Sequence, residues 1–286
     1  LANGIQPLNT QINTLSTQDV DSRRSGPLFR ARAEPLGARL GLAEMFHLPF
    51  DMRDRVSTQR YSFPGLPCLY LGRSLYGCWE ELGRPSLHNL WVSRLQLAPS
   101  MTIRVLDFGY RPALIAAGLD ETLKGGSGVA PAMAVAYAAL WPLIAACSIR
   151  RNPLRQRSFV VEYVVPQLLL NWLVRGLGVG NNGSLDGIRY FSTHIDDHNV
   201  GLAGMNYVFP AQRRAAKGHC ARLKSKFLLT HPVSWQIATA DSQLPPHPPY
   251  NNVKFELTPG RSQDYKFTVF SRVEGFLDQL PVVPVP

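Results

Sequence analysis

A chain of 286 residues, with 45% hydrophobic and 17% charged content, has ample material for a buried core, and that balance excludes a wholly disordered protein. The formal net charge of +10 favours an anionic partner: nucleic acid, a phosphate-rich small molecule, an acidic membrane or an acidic protein. Cys68, Cys78, Cys147 and Cys220 form no CxxC pair and no finger-like spacing with histidine, which argues against a zinc module and for reduced thiols. The polar start lacks a basic segment followed by an apolar stretch, so no signal peptide is expected and the expected location is the cytoplasm.

In chain order, residues 1–26 are rich in Asn, Gln, Ser and Thr without clean periodicity and read as an N-terminal extension. Short β-like runs follow at Leu28-Phe29-Arg30, Gln59-Arg60-Tyr61-Ser62 and Cys68-Leu69-Tyr70-Leu71, with a turn at Pro64-Gly65. Helical character runs from Leu75 to Leu82, and apolar residues at every second position predict a strand from Leu90 to Leu97. A helical block is expected from Arg111 to Ala146, broken by Gly125-Gly126-Ser127-Gly128. The stretch from Phe159 to Val165 is apolar and β-branched, and Pro166 opens a further helix. Short strands are expected at Ile188 to Ser192 and Tyr207 to Phe209, and a last β-like segment at Tyr265 to Phe270. Elements mixed in this order indicate an α+β fold.

The run from Val129 to Ile149 carries no charge and is followed by Arg150 and Arg151, the pattern of a membrane-spanning helix. It is mostly alanine and contains Pro131 and Pro142, so a buried helical hairpin is expected instead of a span. Gly178-Val179-Gly180-Asn181-Asn182-Gly183 matches the dinucleotide fingerprint by letter, but a helix precedes it and a strand follows, the reverse of what that motif requires. Lys124 to Gly128 lacks the ending of a P-loop. His194-Ile195-Asp196-Asp197-His198 has metal-friendly residues in a loop and reads as a polar turn, so no metal is expected. The basic residues Arg213, Arg214, Lys217, Arg222, Lys224 and Lys226 have no interleaved aromatics, and no nucleic-acid partner is expected.

Arg30, Arg60, Tyr61, Tyr70, Glu81, Ser192 and Asn206 remain, each at a strand end or on an adjoining helix. The stretch from Gln59-Arg60-Tyr61 through Pro64-Gly65, Tyr70 and Ser74 to Glu80-Glu81 resembles the RES-domain toxin pattern, and so do Asp186 to Ser192 and Gly204-Met205-Asn206-Tyr207-Val208-Phe209. Arg30, better placed than Arg32, matches that family's N-terminal arginine. The resemblance covers about residues 27–212, within a catalytic domain expected at 27–215, and implies an ADP-ribosyltransferase-like mixed β core with surrounding helices. It leaves a helical insertion at about 108–158 and a C-terminal extension at 216–286 packing on the domain.

The activity it implies is cleavage of the nicotinamide–ribose bond of NAD, by water or phosphate, with NAD as substrate and no cofactor. Protein ADP-ribosylation on the same fold and a non-catalytic basic binding module are the alternatives. An antitoxin or immunity protein covering the cleft is the implied partner. Such cleavage develops positive charge on the ribose, which a carboxylate stabilises. Glu81 is assigned that role and its neighbour Glu80 is not. Arg30 and Ser192 join Glu81 as catalytic candidates. Arg30 and Arg60 suit the pyrophosphate, with Arg32 a further binding candidate and the alternative to Arg30; Tyr61 or Tyr70 suits the nicotinamide ring, and Ser192 and Asn206 the amide or ribose.

Overall fold

A computed structural model describes residues 10–19, 26–35, 37–126, 128–151, 159–175, 185–195, 198–212, 215–240, 253–258 and 260–286. Ten strands form one mixed sheet. Across it run β1 (Ser16–Asp19), β5 (Ile103–Phe108), β6 (Gly187–Phe191), β7 (Met205–Pro210), β3 (Cys68–Gly72), β2 (Leu28–Ala33), β4 (Leu90–Leu97), β8 (Phe227–Thr230) and β12 (Val282–Pro284), with β9 (Val233–Ser234) also beside β4. β10 (Lys254–Thr258) and β11 (Arg261–Asp264) make a separate hairpin. Besides a helical stretch at residues 10–14, the helices labelled among the described residues are α1 (Leu75–Glu81), α2 (Pro112–Leu123), α3 (Pro131–Ser148), α4 (Val164–Val174), α5 (Ala221–Lys226), α6 (Trp235–Ala240) and α7 (Val269–Gln279). The protein is α+β, as its element order predicts.

β5 and β6 pair in parallel, whereas every other pairing in the large sheet is antiparallel. Parallel neighbours need a long crossover, and α2, α3 and α4 lie within the one between β5 and β6. The helical segment is therefore the connection that the parallel pair requires. The C-terminal segment adds β8, β9 and β12 to the sheet itself, and β1 brings part of the N-terminal segment to its other edge.

Side chains on successive strand positions go to opposite faces. Leu106, Ile188 and Val208 pack under α3 and α4, while their neighbours Val105, Tyr207 and Phe209 pack on the other side with Phe46 and Phe50. A third cluster joins Phe29 and Val92 to α1, α6 and α7. With both faces covered, all six residues of β7 are buried and polar–apolar alternation is lost there.

Three expectations change. Residues 59–62 are not a strand: the Gln59 amide donates to the Ser62 carbonyl at 2.8 Å, which closes a local loop. Residues 265–270 are not β either. A 3-10 turn at Tyr265–Phe267 leads into α7, whose first turn is capped by the Thr268 hydroxyl accepting from the Ser271 amide at 3.2 Å. Buried Phe270, Val273 and Leu277 recur at helical spacing, which outweighs the β propensity of the aromatics. Finally, α3 is buried on one face only, through Ala136, Tyr137, Leu140, Ile144 and Cys147. By length and composition it is apolar enough to cross a membrane, yet that face belongs to the core and Pro142 removes a helical hydrogen bond midway. Residues 178–183, 196–197 and 213–214, which carry the glycine motif and part of the polar turn and basic run, lie outside the described residues.

Candidate active site

α1 begins at Ser74, whose hydroxyl accepts from the Gly77 amide at 2.9 Å and donates to the Ala203 carbonyl at 2.6 Å. A buried carboxyl reinforces this start: Glu274 of α7 accepts at Oε1 from the Leu75 amide and from the Tyr265 hydroxyl, each at 2.6 Å. Its Oε2 is buried and has no partner among the described residues. Burial pushes this carboxyl up to about 8, partly offset by those two hydrogen bonds. Residue 72, just before α1, is tightly enclosed: a Cβ there would lie 2.7 Å from Cys78 Sγ, which favours glycine.

The far end of α1 presents Glu81 to a cleft of about 690 Å³ lined by Arg30, Tyr70, Tyr190 and Asn206, among others. Two strand ends converge on the carboxylate. Ser192, just after β6, donates its hydroxyl to Glu81 Oε1 at 2.6 Å, and Asn206 on β7 donates its amide to the same oxygen at 2.7 Å. Gly72 pairs with Asn206 across β3 and β7, so sheet register sets the Asn206 donor. The Ser192 hydroxyl in turn accepts from the His194 amide at 3.1 Å. His194 Nε2 stands 3.9 Å from the other carboxylate oxygen, Oε2. Glu80 points elsewhere: it is buried and pairs with Arg84 at 2.9 Å.

The cleft wall is cationic. Arg30, Arg32, Arg55, Arg60 and Arg151 line it, with Glu81 as their acidic counterpart. Arg30 on β2 donates to the Tyr70 carbonyl at 2.9 Å, and its Nε is buried without a partner among the described residues. Burial, with Arg32 nearby, lowers its pKa to about 10, so the guanidinium is still charged at neutral pH. Arg32 is held at the cleft edge by the Glu44 carbonyl at 2.8 Å and by Glu34 at 3.0 Å.

Arg60 lines the cleft but spends its donors on protein. Nη1 reaches the Cys147 and Ile149 carbonyls at 3.1 and 2.8 Å, and Nη2 reaches Thr193 Oγ1 at 2.8 Å. It thereby ties the C-terminal end of α3 to the strand end that carries Ser192. Tyr70 faces the cleft and shares a hydrogen bond with Ser62 at 3.0 Å; burial raises its phenol, which stays protonated. Tyr61 does not reach the cleft. It is 1% exposed and packs in the core against Tyr190, with ring centroids 4.8 Å apart.

The structure thus gathers Arg30, Arg32, Arg60, Tyr70, Glu81, Ser192 and Asn206 around one space and sends Tyr61 to the core. Sequence reasoning missed Arg55, Arg151, Tyr163 and Tyr190 as lining residues and treated His194 only as part of a polar turn. The closeness of His194 to Ser192 in sequence was the available signal. Nothing local in the sequence pointed to Glu274.

No known family profile matches the chain. Over 236 residues, 82% of this chain, it is 35% identical to a Bacillus subtilis (strain 168) protein named "Putative toxin YopC". The chain spans about half, 52%, of that protein's length. Among solved structures, a chain of the M. tuberculosis MbcT–MbcA toxin–antitoxin complex aligns over 81% of this chain and 94% of its own, with 12% identity and a TM-score of 0.31, too low to infer a shared fold.

Proposed function

We propose that this protein is a toxin that breaks the nicotinamide–ribose bond of NAD. The observation that carries the reading is the Glu81 carboxylate, held at Oε1 by Ser192 and Asn206 inside an arginine-lined cleft. Departure of nicotinamide leaves positive charge on the ribose, and a fixed carboxylate in a partly desolvated pocket stabilises it most where that charge develops. Arg30 carries a buried donor, unpartnered among the described residues and suited to a phosphate oxygen, and the net charge of +10 draws the dinucleotide in. Tyr70 and Tyr190 supply ring faces for nicotinamide. Kinship with a protein named as a toxin, and the RES resemblance of the same residues, point the same way.

A partner that silences the protein fits the cleft mouth. Leu82 lines the cleft at 42% exposure, and Phe159 and Val161, beside lining residue Val160, are 67% and 64% exposed. Exposed apolar residues beside cationic ones suit an acidic antitoxin or immunity protein.

The test is incubation of purified protein with NAD and quantification of nicotinamide and ADP-ribose. The wild type is expected to release nicotinamide, Glu81→Ala to lose about 10²-fold or more of the rate, and Glu80→Ala to retain it if folded. Nicotinamide without matching ADP-ribose indicates a different acceptor. Equal absence of release from all three folded proteins rejects the reading.

A further inference from the structure

We propose that His194 is the base that takes the proton from the oxygen nucleophile attacking the ribose, an inference that rests on the NAD-cleavage reading above. Glu81 is poorly suited to this task. A carboxylate that accepted the nucleophile's proton would surrender the charge it holds beside the developing cation. Its Oε1 already accepts two hydrogen bonds, and Oε2 is the oxygen turned towards His194 Nε2. The separation of 3.9 Å is too long for a direct hydrogen bond. It is short enough for one oxygen atom to bridge the pair, about 2.8 Å from each.

The electron and proton balance fits one base and no acid. The C1′–N1 bond breaks with its electron pair going to the pyridinium nitrogen, so nicotinamide departs neutral and needs no proton. A water oxygen forms the new bond to C1′, and its surplus proton passes to the unprotonated Nε2 of His194 and from there to solvent. Four neighbouring cleft groups are excluded: the guanidiniums of Arg30 and Arg60 have no acceptor, and burial raises the phenols of Tyr70 and Tyr190 so that they stay protonated. A neutral imidazole has a ring nitrogen that accepts a proton and a second that can pass one on. The side chain of His194 is 47% exposed, which gives the proton an exit, and the Ser192 contact uses the His194 backbone amide, which survives substitution.

The experiment measures nicotinamide release from NAD by wild type, His194→Gln and His194→Ala, with and without sodium azide, after circular dichroism has verified both variants. Azide attacks without losing a proton, so it bypasses a missing base but not a misplaced scaffold. The expected result is a kcat lowered about 10²-fold in both variants with KM little changed, and recovery of release by azide in His194→Ala with ADP-ribosyl azide as product. Unchanged kcat in both variants, or a loss that azide does not restore in folded protein, overturns the role of His194 while wild-type cleavage still stands. No release from the wild type removes the NAD reading and this inference with it.

Discussion

Ser192 and Asn206 do their work as hydrogen-bond donors to one carboxylate oxygen, which distinguishes them from groups that merely line a wall. Asn206→Asp replaces a donor with a second negative charge at 2.7 Å, and like charges so close favour protonation of one of them. Nicotinamide release by that variant is expected to collapse at neutral pH, whereas Ser192→Ala, losing one donor to a charged acceptor, should drop about tenfold or more. Arg30→Lys keeps the charge but removes the guanidinium fork and its buried Nε. Its KM for NAD should rise with a smaller change in kcat.

At this scale most of the cluster was legible through the family resemblance: Glu81, Ser192 and Asn206 lie at or beside the end of an element, whereas Arg30 and Tyr70 sit inside β2 and β3. Tyr61 was not, since adjacent residues of a loop can face opposite ways: Arg60 goes to the cleft and Tyr61 to the core. His194 escaped because residues of a short polar turn resemble any solvated loop until the Glu81 helix is placed beside it.

Among the elements, α3 and α1 matter most to the site. Arg60 fastens the end of α3 through two carbonyls that the helix itself leaves unbonded. Arg60→Ala should cost at least about 2 kcal/mol of stability, and hydrogen exchange should speed up along residues 140–149 before it does in β7. Ahead of α1, Gly72→Ala should destabilise by about 1–3 kcal/mol, because the added methyl would press on Cys78 Sγ and the Ser74 carbonyl. Thermal denaturation measures both. Strands such as β4 were readable from alternation, but β5 went unnoticed: five of its six residues are buried, including Asp107 held by Arg189, so it lacks a polar face. The crossover role of the helical segment was equally hidden, since strand order is not a local property of sequence.

Taken as a whole, the molecule commits its C-terminal segment to the same structure as the site. β8 and β12 widen the sheet beyond β4, and α7 brings Glu274 to the start of α1. Because the folded protein holds the Glu274 proton up to about pH 8, the associated stability is complete below the ordinary carboxyl value of 4.5 and is lost as pH rises through about 8. The melting temperature of the wild type should therefore fall from pH 5 to pH 8 more than that of Glu274→Gln, which cannot ionise there.

The cap and the helix it steadies are 199 residues apart in the chain. During translation, the side chains of Glu81, Ser192 and Asn206 leave the ribosome well before Glu274 does. A nascent chain therefore owns every atom of the carboxylate cluster before the group that anchors its helix has been made.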